Sequence, residues 1–255
     1  MGKIIAVVNQ KGGVGKTTTA VNLAAGIGLS GKRVLLVDAD PQGNTTSGYG
    51  INKKDVTASS YELLIGNARA SEVIKKTEFK NVDIIPGSIN LAAAEVDLIE
   101  KERRESQLKM GLSPVREFYD YIFIDCPPSL GLITINALNA CDTVLVPIQC
   151  EYFALEGLSQ LMASVRQVKR LYNPTLEIEG IVLTMYDSRL NLTGQVVNEI
   201  KKYFANKLYK TAIPRAVRLS EAPSFGQPIQ YYDKRSKGAD AYNALAKEFI
   251  KKNRR

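Results

Sequence analysis

Near the start of the chain, Lys11-Gly12-Gly13-Val14-Gly15-Lys16-Thr17 brings three glycines, two lysines and a hydroxyl together within a few residues. Such a run can cradle phosphate. Gly12, Gly13 and Gly15 allow backbone torsions that other residues resist, so successive N–H groups can converge on phosphate oxygens. Lys16 supplies a point charge for β- and γ-phosphates. Thr17 offers a hydroxyl to Mg2+, and Thr18 can donate to an α-phosphate. In the usual phosphate loop, Gly-x-x-x-x-Gly-Lys-Ser/Thr, the first position is glycine. Here that position is Gln10 and the next is Lys11, while Gly15-Lys16-Thr17 is intact. A glycine-rich turn that merely joins strand to helix is the bland alternative. The flanking pattern opposes it, because an apolar strand precedes the run and a helical pattern follows it, where the helix N-terminus adds partial positive charge.

Two apolar segments end in acids. Tyr121-Ile122-Phe123-Ile124-Asp125 is followed by Cys126-Pro127-Pro128. An acid closing a strand beside the phosphate loop is where such nucleotide hydrolases hold Mg2+. Val34-Leu35-Leu36-Val37-Asp38-Ala39-Asp40 is of the same kind. Its Asp40 is expected in the crevice beyond the strand ends, near the γ-phosphate, where it could orient or activate the attacking water. Acids often end strands and begin turns, and Pro41-Gln42-Gly43-Asn44 reads as a turn. Asp38 and Asp40 therefore carry a functional reading only beside the phosphate loop and Asp125.

The elements that must position these groups are legible as an alternation. Strands are expected at Ile4–Val8, Val34–Val37, Val82–Ile85, Tyr121–Ile124, Thr143–Val146, Ile181–Leu183 and Thr211–Ile213. Most are near-continuous apolar runs, the pattern of strands buried on both faces of a parallel sheet. Helical patterns lie between them at Thr17–Leu29, Leu91–Glu105, Leu155–Leu171 and Leu192–Phe204. This order predicts an α/β fold: a doubly wound, mostly parallel sheet with helices on both faces. No internal repeat or Pro/Gly/Ser linker interrupts it, so the 255 residues are expected to form one domain.

Composition narrows the function classes. Hydrophobic residues make up 45% of the chain and charged residues 24%, as in a globular protein with a sizeable core. No apolar run approaches the roughly 18 residues of a membrane span, and Met1-Gly2-Lys3-Ile4-Ile5 lacks the form of a signal peptide. A cytoplasmic protein is expected. Cys126, Cys141 and Cys150 form no paired motif, which disfavours a disulfide framework or a zinc site and leaves buried apolar residues as the reading. The absence of histidine excludes Ser-His catalysis, His-metal sites and histidine pH switching. Net charge is +8, and residues 215–255 hold ten basic against four acidic residues. A concentrated basic surface suits nucleic acid or an acidic membrane; an ordinary solvated face is the alternative.

Taken together, Lys11 to Thr19, Val37-Asp38-Ala39-Asp40-Pro41-Gln42-Gly43-Asn44 and Ile124-Asp125-Cys126-Pro127-Pro128-Ser129 resemble the ParA/MinD family of deviant P-loop ATPases. Gln149-Cys150-Glu151-Tyr152, Ile213-Pro214-Arg215 and Leu219-Ser220-Glu221-Ala222-Pro223-Ser224 resemble its ParA/Soj chromosome-partitioning branch. The resemblance implies slow ATP hydrolysis in an ATP-sandwich homodimer, with each Lys11 reaching the partner's phosphates. It implies that this dimer coats double-stranded DNA without reading sequence, and is therefore nucleoid-associated. A ParB-like, centromere-bound partner would stimulate hydrolysis and release it. Carried over residue by residue, Lys11, Gly12, Gly13, Val14, Gly15, Lys16, Thr17 and Thr18 bind nucleotide, with Lys11, Lys16 and Asp40 catalytic. Thr17 and Asp125 serve Mg2+, Asp125 directly or through a bound water. Met185 and Pro214 match adenine-pocket positions, and Arg189 and Arg218 match DNA-contacting positions. For Arg218 the alternative is a structural ion pair with Glu221 at i+3 spacing.

The resemblance also implies that the separate N-terminal helix-turn-helix module of some ParA proteins is not expected, because the chain starts almost directly at the first P-loop strand. A MinD-like membrane ATPase is the rival reading. Such proteins end in a lipid-inserting amphipathic helix, whereas Leu245 and Phe249 of Ala244–Arg255 fall on the face expected to pack on the body, so no membrane partner is expected. An iron–sulfur carrier or nitrogenase-type reductase shares this loop but needs cysteines poised between subunits. Cys126 lies beside Asp125 instead, and Cys141 and Cys150 lack a paired motif. A DNA-coating protein with a lapsed ATPase would not need Asp40 and Lys11.

Overall fold

Because their side chains are apolar on both sides, the expected strands can stack only as the middle layer of a sandwich. The computed structural model, which describes residues 2–254, shows that layer. Its strands are Lys3–Val7 (β1), Val34–Asp38 (β2), Lys75–Lys76 (β3), Val82–Ile85 (β4), Tyr121–Asp125 (β5), Thr143–Gln149 (β6) and Glu177–Thr184 (β7). They form one sheet in the order β3-β4-β2-β5-β1-β6-β7, parallel everywhere except β3 against β4.

Successive side chains point to opposite faces, so each strand feeds two cores. Ile5, Val7, Leu36 and Phe123 pack under helices Lys16–Leu29 and Lys237–Lys252. Ile4, Ala6, Leu35, Val37, Ile122 and Ile124 pack on the other face, under Leu91–Asp97, Gln107–Leu112, Leu132–Ala140, Ala154–Leu171 and Asn191–Phe204. The β1–β2 crossover runs to one side of the sheet's centre and the β5–β6 crossover to the other. Strand order therefore reverses around β1 and β5, where the crevice beyond the carboxyl ends is open to a ligand.

The last helix is docked. Tyr242, Leu245, Ala246 and Phe249 are buried, and the Phe249 ring lies 5.2 Å from that of Tyr121 and 5.5 Å from that of Phe123, centre to centre. The apolar stripe a lipid helix would expose is spent on the body; Arg255, the end of that segment, lies outside the described residues. Phe249→Ala should lower unfolding free energy by about 3–5 kcal/mol in urea titration. An unchanged midpoint would mean that this helix is not part of the core.

Two expectations need correction, and one strand was not expected. Thr211–Ile213 is no ladder strand; it meets β7 only at its end, where the Ile213 N–H donates to the Leu183 carbonyl at 2.8 Å and Pro214 bridges to Tyr186. The amide N–H groups of Lys210 and Thr211 donate to the two carboxylate oxygens of Glu248 on the last helix, both at 2.9 Å, instead of to a neighbouring strand. The helix expected over Leu91–Glu105 ends at Asp97. Leu91, Ala94 and Leu98 are buried but residues 99–103 are exposed or nearly so, and Arg103 takes a left-handed φ of 51° that breaks the helical path. Lys75–Lys76 is a strand that the sequence pattern does not announce, because two lysines carry no apolar signature; as a short, charged edge they discourage sheet-to-sheet pairing.

Candidate functional site

The loop after β1 is pinned before it turns. Asn9, buried, donates from Nδ2 to the Pro147 carbonyl at 2.8 Å and accepts the Lys11 N–H on Oδ1 at 3.0 Å. Gly13 and Gly15 take φ of 75° and 85°, a region L side chains resist, and Gly15 caps helix Lys16–Leu29. Gly12 keeps an ordinary φ, and a Cβ there would meet nothing, so its use lies in leaving the loop's outer surface bare. Val14 is buried, and its carbonyl accepts the Thr184 hydroxyl at 2.7 Å, which ties the loop to the end of β7. The helix carries no acid in its first turn, so its N-terminal partial charge is left for an anion.

The two loop lysines sit differently. Lys16 is buried at 7% exposure and donates to the Lys11 carbonyl at 3.1 Å. Burial pushes its pKa down, opposed by the charge of Asp125. Lys11 reaches outward, and its ammonium pairs with Glu151 at the end of β6. Both partners are more than a third exposed, so solvent screens the pair.

Sheet register assembles the acids. Val7, Asp125 and Asp38 are in register across β1, β5 and β2, which puts two carboxylates side by side beneath the loop. Asp125 is fully buried. Its Oδ2 accepts the Thr17 hydroxyl at 2.8 Å and the Thr45 hydroxyl at 2.7 Å, while its Oδ1 has no partner. Burial, and then the charge of Asp38, pushes its pKa up to about 7. Asp38 is raised to about 6 by burial, against hydrogen bonds from the Thr46 hydroxyl at 2.6 Å and the Thr46 N–H at 2.8 Å. Asp40 is buried at 8% exposure in the following turn, where its Oδ1 accepts the Gln42 N–H at 2.9 Å.

An unpartnered buried carboxylate oxygen next to a threonine hydroxyl is the donor set Mg2+ accepts, with substrate phosphates and water completing its shell. Among the described residues no group of three acids, thiols or imidazoles is placed to hold a metal ion by itself. The cysteines are free and buried, with the Cys141 thiol raised to about 12 and that of Cys150 to about 11 by burial, which suits apolar packing and not thiolate ligation.

The remaining expected positions divide. Met185 follows Thr184, has an unusual φ of 47°, and lies next to Tyr186, whose N–H donates to the Ile213 carbonyl at 2.9 Å, so Met185 and Pro214 are brought to one edge of the loop. Thr18 lies in the first turn of the loop helix, half-buried. Arg189 and Arg218 are exposed, and each already holds a carboxylate: Arg189 grips Asp187 at 2.9 and 2.6 Å, and Arg218 lies 2.9 Å from Glu221 and 3.6 Å from Asp233. The i+3 ion pair of Arg218 is thus present. Asn9, Thr45, Thr46 and Thr184 escape sequence reasoning, because Asn and Thr in turns carry no distinctive spacing.

A family described as an AAA domain matches residues 2–178. Over 248 residues the chain is 60% identical to the sporulation initiation inhibitor protein Soj of Bacillus subtilis, covering 97% of this chain and 98% of that one. It is 51% identical to the chromosome partitioning protein ParA of Myxococcus xanthus, covering 99% and 89%. Among solved structures, one described as cobyrinic acid a,c-diamide synthase from Mycobacterium smegmatis, with bound ATP analog and magnesium, superposes with a TM-score of 0.86 at 35% identity, covering 98% and 95%. No helix among the described residues is long and apolar enough to cross a membrane. On its loop geometry, its sheet order and its whole-length likeness to these relatives, the chain belongs to the ParA/Soj family of chromosome-partitioning ATPases.

Proposed function

We propose that this chain is an ATP-dependent DNA-partitioning switch, acting as one ATPase domain that dimerises with ATP bound and coats double-stranded DNA without reading sequence. A ParB-like partner would stimulate hydrolysis and release it. The observation that carries the nucleotide half of this reading is the pairing of Thr17 with Asp125, whose second oxygen is buried and unpartnered beneath a left-handed glycine loop. Lys11, Gly12, Gly13, Val14, Gly15, Lys16, Thr17 and Thr18 would wrap the phosphates, and Met185 and Pro214 would flank the base. Mg2+, when bound by Thr17 and Asp125, neutralises charge on the β- and γ-phosphates. Lys16 holds the same phosphates from below. Asp40 accepts a hydrogen bond from the attacking water and orients it. The half-buried Lys11 lets go of Glu151 and crosses to the partner's phosphates, so ATP favours the dimer by its differential affinity for it.

The DNA half rests on the family and on exposed cations. Surface ion pairs such as those of Arg189 and Arg218 are weak, so exchange of Glu221 or Asp187 for a DNA phosphate costs little. A dimer offers twice the cationic surface of a monomer. Arg189→Glu and Arg218→Glu should each weaken DNA retention on unrelated sequences alike, and reduce the slope of log affinity against log salt by about one for each phosphate no longer neutralised. Both should keep ATP-dependent dimerisation, because neither touches the phosphate loop. The measurement is surface plasmon resonance on duplex DNA across a salt series, with ATP, with ADP and without nucleotide, and with anionic liposomes as a second surface. Unchanged affinity and slope on DNA, with ATP-dependent retention on liposomes, would replace this reading by the membrane one.

A further inference from the structure

The Asp40 turn is tied down at its far end by two consecutive threonines that face different strands. Thr45 and Thr46, both fully buried, lie in the short helix Asn44–Gly48. Thr46 binds Asp38 on β2 through its N–H and its hydroxyl, and its hydroxyl oxygen also accepts the Gly87 N–H at 2.8 Å. That anchor joins the turn to the strand it came from and to the segment after β4. Thr45 does something else. Its hydroxyl crosses to β5 and donates at 2.7 Å to Asp125 Oδ2, the oxygen that also takes the Thr17 hydroxyl at 2.8 Å. One carboxylate oxygen therefore receives a hydroxyl from the phosphate loop and a hydroxyl from the Asp40 turn, and its other oxygen is left free.

From this arrangement we infer that Thr45 is a positioning residue, which sets the Asp125 carboxylate for the metal and reports the metal's presence to the turn that carries Asp40. The inference rests on the reading of Asp125 as a Mg2+ carboxylate. Two hydroxyl donors on Oδ2 fix the rotation of the carboxylate about its terminal bond and leave Oδ1 as its unpartnered oxygen. They also spread the negative charge of a group whose burial works against ionisation. With Thr45 removed, Oδ2 keeps a single donor that belongs to the phosphate loop, so the carboxylate can swing and is a poorer anion for the metal. The coupling runs in the other direction as well. Where the cation fixes Asp125, the Thr45 hydroxyl has a fixed acceptor, and the short stretch from Thr45 back to Asp40 is held at both ends. Thr46 alone cannot supply this link, because its acceptor lies on the same strand as the turn.

The measurement is binding of a fluorescent ADP analogue to the full chain, in EDTA and across a Mg2+ titration, for the parent protein, Thr45→Val, Thr45→Ser and Asp125→Asn. Thr45→Val should raise the Mg2+ concentration needed for half-maximal enhancement by about tenfold or more, the usual cost of losing a group that orients a metal ligand. It should leave affinity in EDTA within about twofold. Thr45→Ser, which keeps the hydroxyl, should restore the parent Mg2+ requirement. A merely structural threonine would lower the melting temperature and weaken binding in EDTA and Mg2+ equally, and that result overturns the inference. If Asp125→Asn raises the Mg2+ requirement but Thr45→Val does not, Thr45 is not the link. If Asp125→Asn also leaves it unchanged, the metal reading of Asp125 falls, and this inference with it. Should Thr45→Val not fold, Thr45→Ala, which introduces no extra apolar group, is read by the same criteria.

Discussion

Asp40→Ala should bind ATP nearly as well as the parent chain and hydrolyse it about a hundredfold more slowly or worse, the usual loss when a positioned acid–base group is removed. The expectation follows from what Asp40 does and does not hold. Its side chain accepts the Gln42 N–H within its own turn, and no hydrogen bond runs from it to the phosphate loop. In the proposed function phosphate binding falls to Gly13, Gly15 and Lys16, and the Thr17–Asp125 hydrogen bond does not involve Asp40. With ATP bound and not consumed, the dimer should accumulate and light scattering should rise to a plateau that persists. On the proposed function, in which hydrolysis precedes release, the variant should also stay on DNA. Phosphate release at the parent rate would show that another group positions the water.

Lys16→Ala should lose nucleotide affinity by about a hundredfold or more, whereas Lys11→Ala should keep most of it and lose ATP-dependent dimerisation. Truncating one partner of a buried charged pair leaves the other uncompensated, which costs about 2–5 kcal/mol. On the proposed function Lys16 would be such a partner, being buried beneath the loop with its ammonium on the Lys11 carbonyl. Lys11 is not. Its ammonium points away from the loop to a half-buried Glu151, and the loop's N–H groups do not depend on its side chain. Isothermal titration with ATP, run beside sedimentation velocity, separates the two effects. Equal loss of nucleotide binding in both variants would mean that Lys11 serves its own subunit's nucleotide.

Much of this architecture was written in local pattern. β1, β2, β4 and β5 are short runs with every residue apolar apart from their ends and Asp83 of β4, and such runs can be satisfied only between two layers of helices. Their observed limits lie within a residue of the expected ones. The last helix followed the same logic, since Leu245 and Phe249 lie four apart and both are buried. The pattern failed where backbone donors went to side chains. Thr211–Ile213 is apolar enough for a strand, but Glu248, distant in sequence, takes the N–H groups at the start of that segment. Leu91–Glu105 began as a helix and stopped when its apolar period ran out, after Leu98.

The candidate site divides along the same line. By themselves the residues located the glycine-rich loop, its lysines, the two strand-ending acids and the lack of histidine, because these depend on residue type and on spacing along a few positions. Only the tertiary structure decided that Asp125 Oδ2 serves two threonines and leaves Oδ1 bare, that Lys11 rests on Glu151, and that Arg218 already holds Glu221 and Asp233. Those pairings join residues up to 140 positions apart and depend on the register of neighbouring strands to within a residue. A hydrogen bond falls off within a fraction of an ångström, and no pattern along the chain carries distance at that precision.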